Sequence, residues 1–457
     1  MPHVGSYVGR PFRVAAVAYD TVVRVAVFRG RSFVALTTAL ALWLPACGGP
    51  SRPASALDAA GESYVRLVLA LGERDADSID AYHGPPDWQA DARAARATLP
   101  EVRTAAAALA ERLASPVPGD DEVRRQFLVR QLRAVVARID VVLGARLPFA
   151  EEARLLFGLD VPAGDHAAAA ASAREAIDRL LPGPGDLAAR YAAFDRRFLI
   201  APERLPSVLA RAIEGCRAAT RPHLTLPAAE RVDVEYLGDL SWSAFTRYAG
   251  GFTSRIQVNA GLPLTVDRAV DLACHESYPG HHTIASLLDA RFGGRVEFLV
   301  QPLFSPQSLL HEAASSLGGR LAFPEPERIA FERDELFPLA GLDPAEAAGH
   351  VRLGRLIDAL HGVESDIARR YLDGGLDFPH AAAALEREAL MPSPDATLKF
   401  LNQYRTYAAT YTIGRDALQR HLDAQSPPGD DASRWRAYMN VVADPAQIVP
   451  QGSRLGK

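Results

Sequence analysis

Residues 275–282 read His275-Glu276-Ser277-Tyr278-Pro279-Gly280-His281-His282, and the reading of the chain turns on them. A helix that binds zinc in a hydrolase commonly carries two His four residues apart, with a Glu beside the first as general base. Here His275-Glu276 is present, but the fourth position is Pro279, and the next imidazoles are His281 and His282. Seven residues of straight helix advance ~10 Å, too far for two ligands each ~2 Å from one metal. Pro279 has no amide hydrogen, and its ring clashes with the carbonyl four residues back. Gly280 can adopt backbone angles closed to other residues. Together they predict a bulge that brings His281, or in its place His282, back beside His275. A lone His-Glu pair on a helix means little, whereas packing alone rarely needs three His around a Pro-Gly step.

Outward from this motif, Thr265 is a suitable N-cap with Asp267 in the first turn. The helix it opens is expected to run through the motif to about Phe292. Before it, 232–237 and 252–259 read as extended, with Arg255-Ile256-Gln257-Val258-Asn259 alternating at period two; 295–301 is a further possible strand. Ser305-Pro306 starts the next helix, which carries His311-Glu312 followed by Ala313-Ala314-Ser315-Ser316-Leu317-Gly318-Gly319. Helical periodicity marks 57–92 (with a turn at His83-Gly84-Pro85-Pro86), 98–146, 165–181, 186–217, 344–373, 378–390, 394–423 and 431–442. Pro118-Gly119-Asp120 and Pro182-Gly183-Pro184-Gly185 punctuate the array as loops. The expected fold is mainly α: a large helical, zinc-metallopeptidase-like fold with a few short β-strands beside the metal-binding helix.

The chain has 457 residues, 48% hydrophobic and 23% charged, which fits a folded protein and not a disordered one. Its formal charge is −5 and it carries no Lys/Arg-rich block, so nothing points to nucleic acid. Near the N-terminus, Arg24, Arg29 and Arg31 precede an apolar run from Phe33 to Leu44 that ends in Pro45-Ala46-Cys47. A basic region, a short apolar stretch and a small-residue exit make a secretory signal, not a membrane span. Cys47 resembles the lipidated cysteine of bacterial lipoproteins, with Pro45 a departure from the usual box. The alternative is a buried N-terminal helix with an incidental Cys. The layout that follows is 1–46 signal peptide, 47–60 tether, 61–425 one helical catalytic domain (lobes 61–225 and 226–425) and 426–457 tail. The lost segment holds five Arg and one Asp, so removing +4 from −5 leaves −9. Membrane contact is then expected through the lipid alone, in an exported envelope protein. Cys216 and Cys274 could pair, but Cys274 reads as apolar and both are expected to be free.

The motif at 275–282 resembles the HExxPGHH motif of the DUF885 family of bacterial proteins. Further matches are Tyr82-His83-Gly84-Pro85-Pro86-Asp87-Trp88, Leu156-Phe157-Gly158-Leu159, Glu312, and Tyr404-Arg405 through Tyr411-Thr412-Ile413-Gly414, spanning roughly 60–425. The resemblance implies a largely helical relative of zinc metallopeptidases, with His275, one of His281/His282 and Glu312 as ligands of one zinc and Glu276 as base. This chain departs from the family after Glu312, where Ala313-Ala314-Ser315 replaces an aromatic-bearing segment. That departure leaves the Glu itself in place.

The expected chemistry is hydrolysis of a peptide or small amide, with Glu276 taking a proton from metal-activated water and returning it to the leaving amine. Tyr404, Tyr407 and Tyr411, three and four residues apart, share a helical face and are candidates for an oxyanion donor; their other reading is core packing. Arg405 is a candidate clamp for a substrate carboxylate. The His not bound to metal, taken as His282, is expected to contact substrate or orient a ligand. His311 is expected beside the ligands or at the surface. Arg255 and Asn259 lie on a segment that either pairs with an extended peptide or is an ordinary edge strand. Arg352, Arg355, Glu364, Asp366, Arg369 and Arg370 read as a solvated charged face. Two other classes compete: an envelope lipoprotein that binds ligand in the same cleft without hydrolysing it, and a structural interaction protein of the envelope.

Overall fold

The computed structural model describes residues 55–444, apart from 117–120, 163–165, 239 and 241. The expected signal peptide, Cys47, the loop at Pro118 and the last residues of the tail lie outside the described residues. Within them, no helix is long and apolar enough to cross a membrane.

The protein is mainly α-helical, as the periodicity implies. The first lobe packs α1 (Ala56–Gly72), α2 (Pro86–Ala95), α3 (Leu99–Ala114) and α4 (Glu122–Val142). Ser55 with Asp58 and Thr98 with Glu101 form capping boxes that start α1 and α3. Tyr64, Val68, Leu69, Leu128, Leu132 and Ile139 are fully enclosed between these helices. Arg124 ties the lobe to the following one: its Nε and Nη2 donate to Glu297 at 2.7 and 2.8 Å, and its Nη1 donates to Asp58.

Next come α5 (Phe149–Phe157), α6 (Ala167–Leu180), α7 (Leu187–Asp195) and α8 (Leu205–Thr220). The expected helix 186–217 is thus split, because Leu199 bridges to Thr265 and Pro202 follows. Two small sheets occur. One pairs β1 (Ile79–Tyr82) with β5 (Val300–Pro302); the other has the order β2 (Arg231–Leu237), β4 (Thr253–Asn259), β3 (Ala244–Tyr248). β4 runs parallel to β2 and antiparallel to β3, so it is central and not an edge. A peptide therefore has no free edge at Arg255 and Asn259; that expectation is corrected.

The second half contains α9 (Val266–Glu276), α10 (His281–Phe292) and α11 (Pro306–Ala322). A segment of short turns follows, with α12 (Glu325–Phe331) and α13 (Phe337–Ala340). Then come α14 (Ala347–Asp358), α15 (His361–Leu372), α16 (Phe378–Glu388), α17 (Pro394–Tyr404), α18 (Ile413–Gln425) and α19 (Asp431–Val442). Trp435 and Tyr438 of α19 are buried against α11 and α18, and Leu57 and Ala60 of α1 are buried as well. Parts of the presumed tether and tail therefore belong to the packed body.

The expected free thiols are corrected too: Cys216 of α8 and Cys274 of α9 form a disulfide, their Cα atoms 5.3 Å apart and 58 residues apart in sequence. Both sit in the core between the two helices, so apolar surroundings and pairing are compatible. A crosslink over a loop of that length restricts the unfolded chain by about 4 kcal/mol. Reduction, or Cys216→Ser, is accordingly expected to lower the unfolding free energy by a few kcal/mol, read as a lower urea midpoint with dithiothreitol than without.

Candidate metal centre

The helix through the motif is interrupted at Pro279-Gly280, where the bulge is expected. α9 ends at Glu276, residues 277–280 turn, and α10 begins afresh at His281. The Tyr278–Pro279 peptide is cis. Gly280 has no room for a side chain, since a Cβ there would overlap the His275 carbonyl. α11 lies close against this turn for the same kind of reason: a Cβ on Gly318 would come within 2.7 Å of the Pro279 ring, and Tyr438 donates to the Pro279 carbonyl at 3.0 Å. The small residues after Glu312 thus serve the contact between helices.

The turn brings His281 back to His275. Their Nε2 atoms are 3.1 Å apart; His275 Nε2 is 3.2 Å from Glu312 Oε2, and His281 Nε2 is 3.3 Å from Glu312 Oε1. Two ligands at ~2.0–2.1 Å from a tetrahedral zinc stand roughly 3.3 Å apart. The three side chains are therefore spaced so that they could hold one metal ion of zinc's size. Glu312 Oε2 is buried, and its partner at 3.2 Å is His275 Nε2. Oε1 accepts from the Tyr407 hydroxyl at 2.6 Å, which fixes the carboxylate.

Negative charge surrounds the two imidazoles. Burial opposes charge on His281, yet Glu312, Glu276 and Asp80 outweigh it and raise its pKa to about 9. Burial also opposes the Glu312 carboxylate, but His281 and His275 hold its pKa well below the usual range. Asp80, buried on β1 and bonded by Gln301, is pushed up to about 7 by desolvation. Sequence reading missed Asp80, although it stands just before the quoted Tyr82-His83-Gly84 stretch. His311 is buried, and desolvation together with His281 lowers it to about 3, so it stays neutral beside Glu312.

Glu276 is buried, and its Oε2 accepts from Thr246 Oγ1 at 2.7 Å. Thr246 lies on β3 and carries no motif of its own. His282 is fully buried, with Nδ1 2.8 Å from Ser254 Oγ and Nε2 3.0 Å from Glu230 Oε2. Both ring nitrogens are occupied, which leaves His282 as a brace for the start of α10 and neither a ligand nor a substrate contact. Asn259 is likewise buried and donates to the Leu240 and Trp242 carbonyls; Arg255 is exposed.

The predicted helix 394–423 breaks at Arg405, which takes φ 52°. Glu152 of α5 provides the reason: it accepts from Arg405 Nη2 at 2.7 Å and from Thr406 Oγ1 at 2.9 Å. This pairing gives Arg405 a structural partner instead of a free guanidinium for substrate. The three tyrosines consequently do not share one helical face. Tyr407 reaches Glu312, Tyr411 stands over the cleft with its ring 5.9 Å from that of His275, and Tyr404 packs on Phe400. Burial, first, and Glu312, second, raise the Tyr411 pKa well above its ordinary value, so it remains a hydroxyl donor.

His275, Glu276 and Tyr411 open on a cleft of about 460 Å³ that extends along α9 and α11 toward α14 and α18. Arg355, expected on a solvated face, lines this cleft instead.

No family model and no curated protein matches this sequence. Among solved structures, a protein described as a candidate lipoprotein from Colwellia psychrerythraea has TM-score 0.46 and 16% identity, over 77% of this chain and 68% of that one. A candidate lipoprotein of unknown function from Shewanella oneidensis has TM-score 0.43 and 12% identity, over 86% of this chain and 72% of that one. Similarity at this level assigns neither a family nor an activity.

Proposed function

We propose that the protein is a hydrolase that binds one zinc through His275, His281 and Glu312 and cleaves peptide bonds in the adjoining cleft. The observation that carries the reading is the set of 3.1, 3.2 and 3.3 Å separations among the three donor groups, beside a carboxylate that is not itself part of the set. Zinc, when bound, would polarise water and a substrate carbonyl. Glu276, oriented by Thr246, takes the proton of the attacking water and hands it to the departing amine. Tyr411 offers its hydroxyl to the oxygen on which negative charge develops. Tyr407 keeps Glu312 in place.

An extended substrate has a surface to lie on. β3 is an outer strand of its sheet, and Ser243 and Ala244 at its start line the cleft. Backbone pairing there would hold a peptide across Glu276. Export to the cell envelope, with lipid on Cys47, is part of the proposal. It is supported by the sequence before Cys47 and by the Cys216–Cys274 disulfide, which suits an oxidising compartment.

The test is hydrolysis of a fluorogenic peptide library by the purified protein before and after chelation. Chelation is expected to remove at least nine-tenths of the activity, and one equivalent of zinc to restore it. Hydrolysis indifferent to chelation would overturn the metal assignment, and absence of hydrolysis by the zinc-loaded protein would favour a ligand-binding lipoprotein.

A further inference from the structure

The end of the cleft away from Glu276 is walled by arginines from three helices: Arg320 on α11, Arg355 on α14 and Arg415 on α18. Asp358 is the carboxylate that Arg320 and Arg415 share. Arg320 pairs with it, Arg415 Nη1 is 2.7 Å from its Oδ1, and His361 Nε2 is 2.7 Å from the same oxygen. Other acids nearby already have partners. Asp271 and Glu332 pair with Arg328, Glu364 with His361 at 3.0 Å, Asp416 with Arg415 at 3.4 Å, and Glu325 with Arg352 at 3.6 Å. Arg355 has no carboxylate within ion-pair distance among the described residues; its Nη2 donates to the Phe323 carbonyl at 3.2 Å.

The crowding is felt electrostatically. Desolvation and then Arg415 and Arg355 pull the Arg320 pKa down to about 10, and desolvation with Arg328 lowers that of Arg355. Asp271 and Asp416 act the other way on Arg320, and Asp271, Glu325 and Glu332 on Arg355, but none of these acids pairs with Arg355; an added anion that did so would offset the crowding of guanidiniums. A planar fork that is not committed to a protein carboxylate matches an incoming carboxylate in two contacts.

We propose that Arg355, with Arg320 and Arg415 beside it, binds a carboxylate of the substrate, and that the protein acts on short peptides ending in a free carboxylate. This rests on the peptidase reading given above. α11 gives the scale: Glu312 and Arg320 are eight residues apart on it, about 12 Å along the axis, which an extended peptide covers in roughly three to four residues. The cleaved bond would therefore lie a few residues before the free carboxylate.

Binding can be measured apart from catalysis. Calorimetry on the Glu276→Gln protein, zinc-loaded, compares an N-acetylated hexa-alanine acid with its C-terminal amide. The acid is expected to bind at least 10-fold more tightly, and Arg355→Gln added to that background to erase the difference. Arg355→Lys, which keeps the charge without the fork, should retain part of it. An amide ending in Asp tells whether a side-chain carboxylate serves as well as the terminal one. Equal binding of acid and amide, no binding of either, or an acid preference that survives Arg355→Gln would overturn the inference; the last would place the carboxylate on the metal. The two readings fail separately. Hydrolysis of acid and amide at equal rates by the unaltered protein sinks the arginine site and leaves the peptidase, whereas an Arg355-dependent preference without any hydrolysis does the reverse.

Discussion

Exchanging Glu276 for Gln is expected to lower kcat for peptide hydrolysis by about a thousand-fold while zinc stays bound at one per chain. Glu276 is not one of the three donors; its carboxylate is held by Thr246 on the neighbouring strand, so removing its basicity leaves His275, His281 and Glu312 where they are. Gln keeps the size and can still accept from the Thr246 hydroxyl, so the loss should appear in kcat with KM little changed. Metal content and kcat measured on one preparation separate this from a collapsed site. If Glu276→Gln hydrolyses peptides at the unaltered rate, Glu276 is not the base; if it loses zinc, it is a ligand.

The second large effect is expected from one methyl group. In Gly280→Ala the new Cβ would overlap the His275 carbonyl, and the turn between α9 and α10 would have to open. Opening moves His281 away from His275 and strips the site of a ligand. Zinc affinity should fall by at least 100-fold, more than the 10- to 100-fold typical of losing a supporting contact. Because the same turn packs against Gly318 and accepts from Tyr438, stability should also fall, by about 1–3 kcal/mol. Zinc titration and urea unfolding on the variant check the two parts. Unchanged zinc affinity would mean that the turn does not position His281.

The legible part of this molecule is local. The motif at 275–282 carries its turn in its own residues, since Pro279 interrupts the helix and Gly280 admits the close return, whereas which imidazole faces back depends on Ser254 and Glu230, which hold His282. Helical periodicity gave the mainly α class for a similar reason, since apolar spacing along one segment is enough to mark a buried face. What could not be read are partners from distant segments. Arg405 sits in a run that looks helical throughout, and only Glu152, 253 residues earlier, explains why the chain leaves the helix there. Nothing at 252–259 says whether a strand is central or outer; that depends on 231–237 and 244–248 pairing on both sides. Cys274 looked apolar and is buried, but its sulfur is bonded to Cys216 on another helix. Thr246 and Asp80 carry no motif of their own, and Arg355 resembles any charged residue on a helix until α9, α11 and α18 close the cleft around it.

His275, His281 and Glu312 are proposed to hold a single zinc. The most direct test is the metal content, by mass spectrometry, of the chain purified without added zinc, compared with His281→Ala and His282→Ala. About one zinc per chain is expected in the unaltered protein, lost in His281→Ala and retained in His282→Ala, since His282 is tied to Ser254 and Glu230. No zinc in the unaltered protein even after titration, or zinc that survives His281→Ala and is lost in His282→Ala, would contradict this assignment.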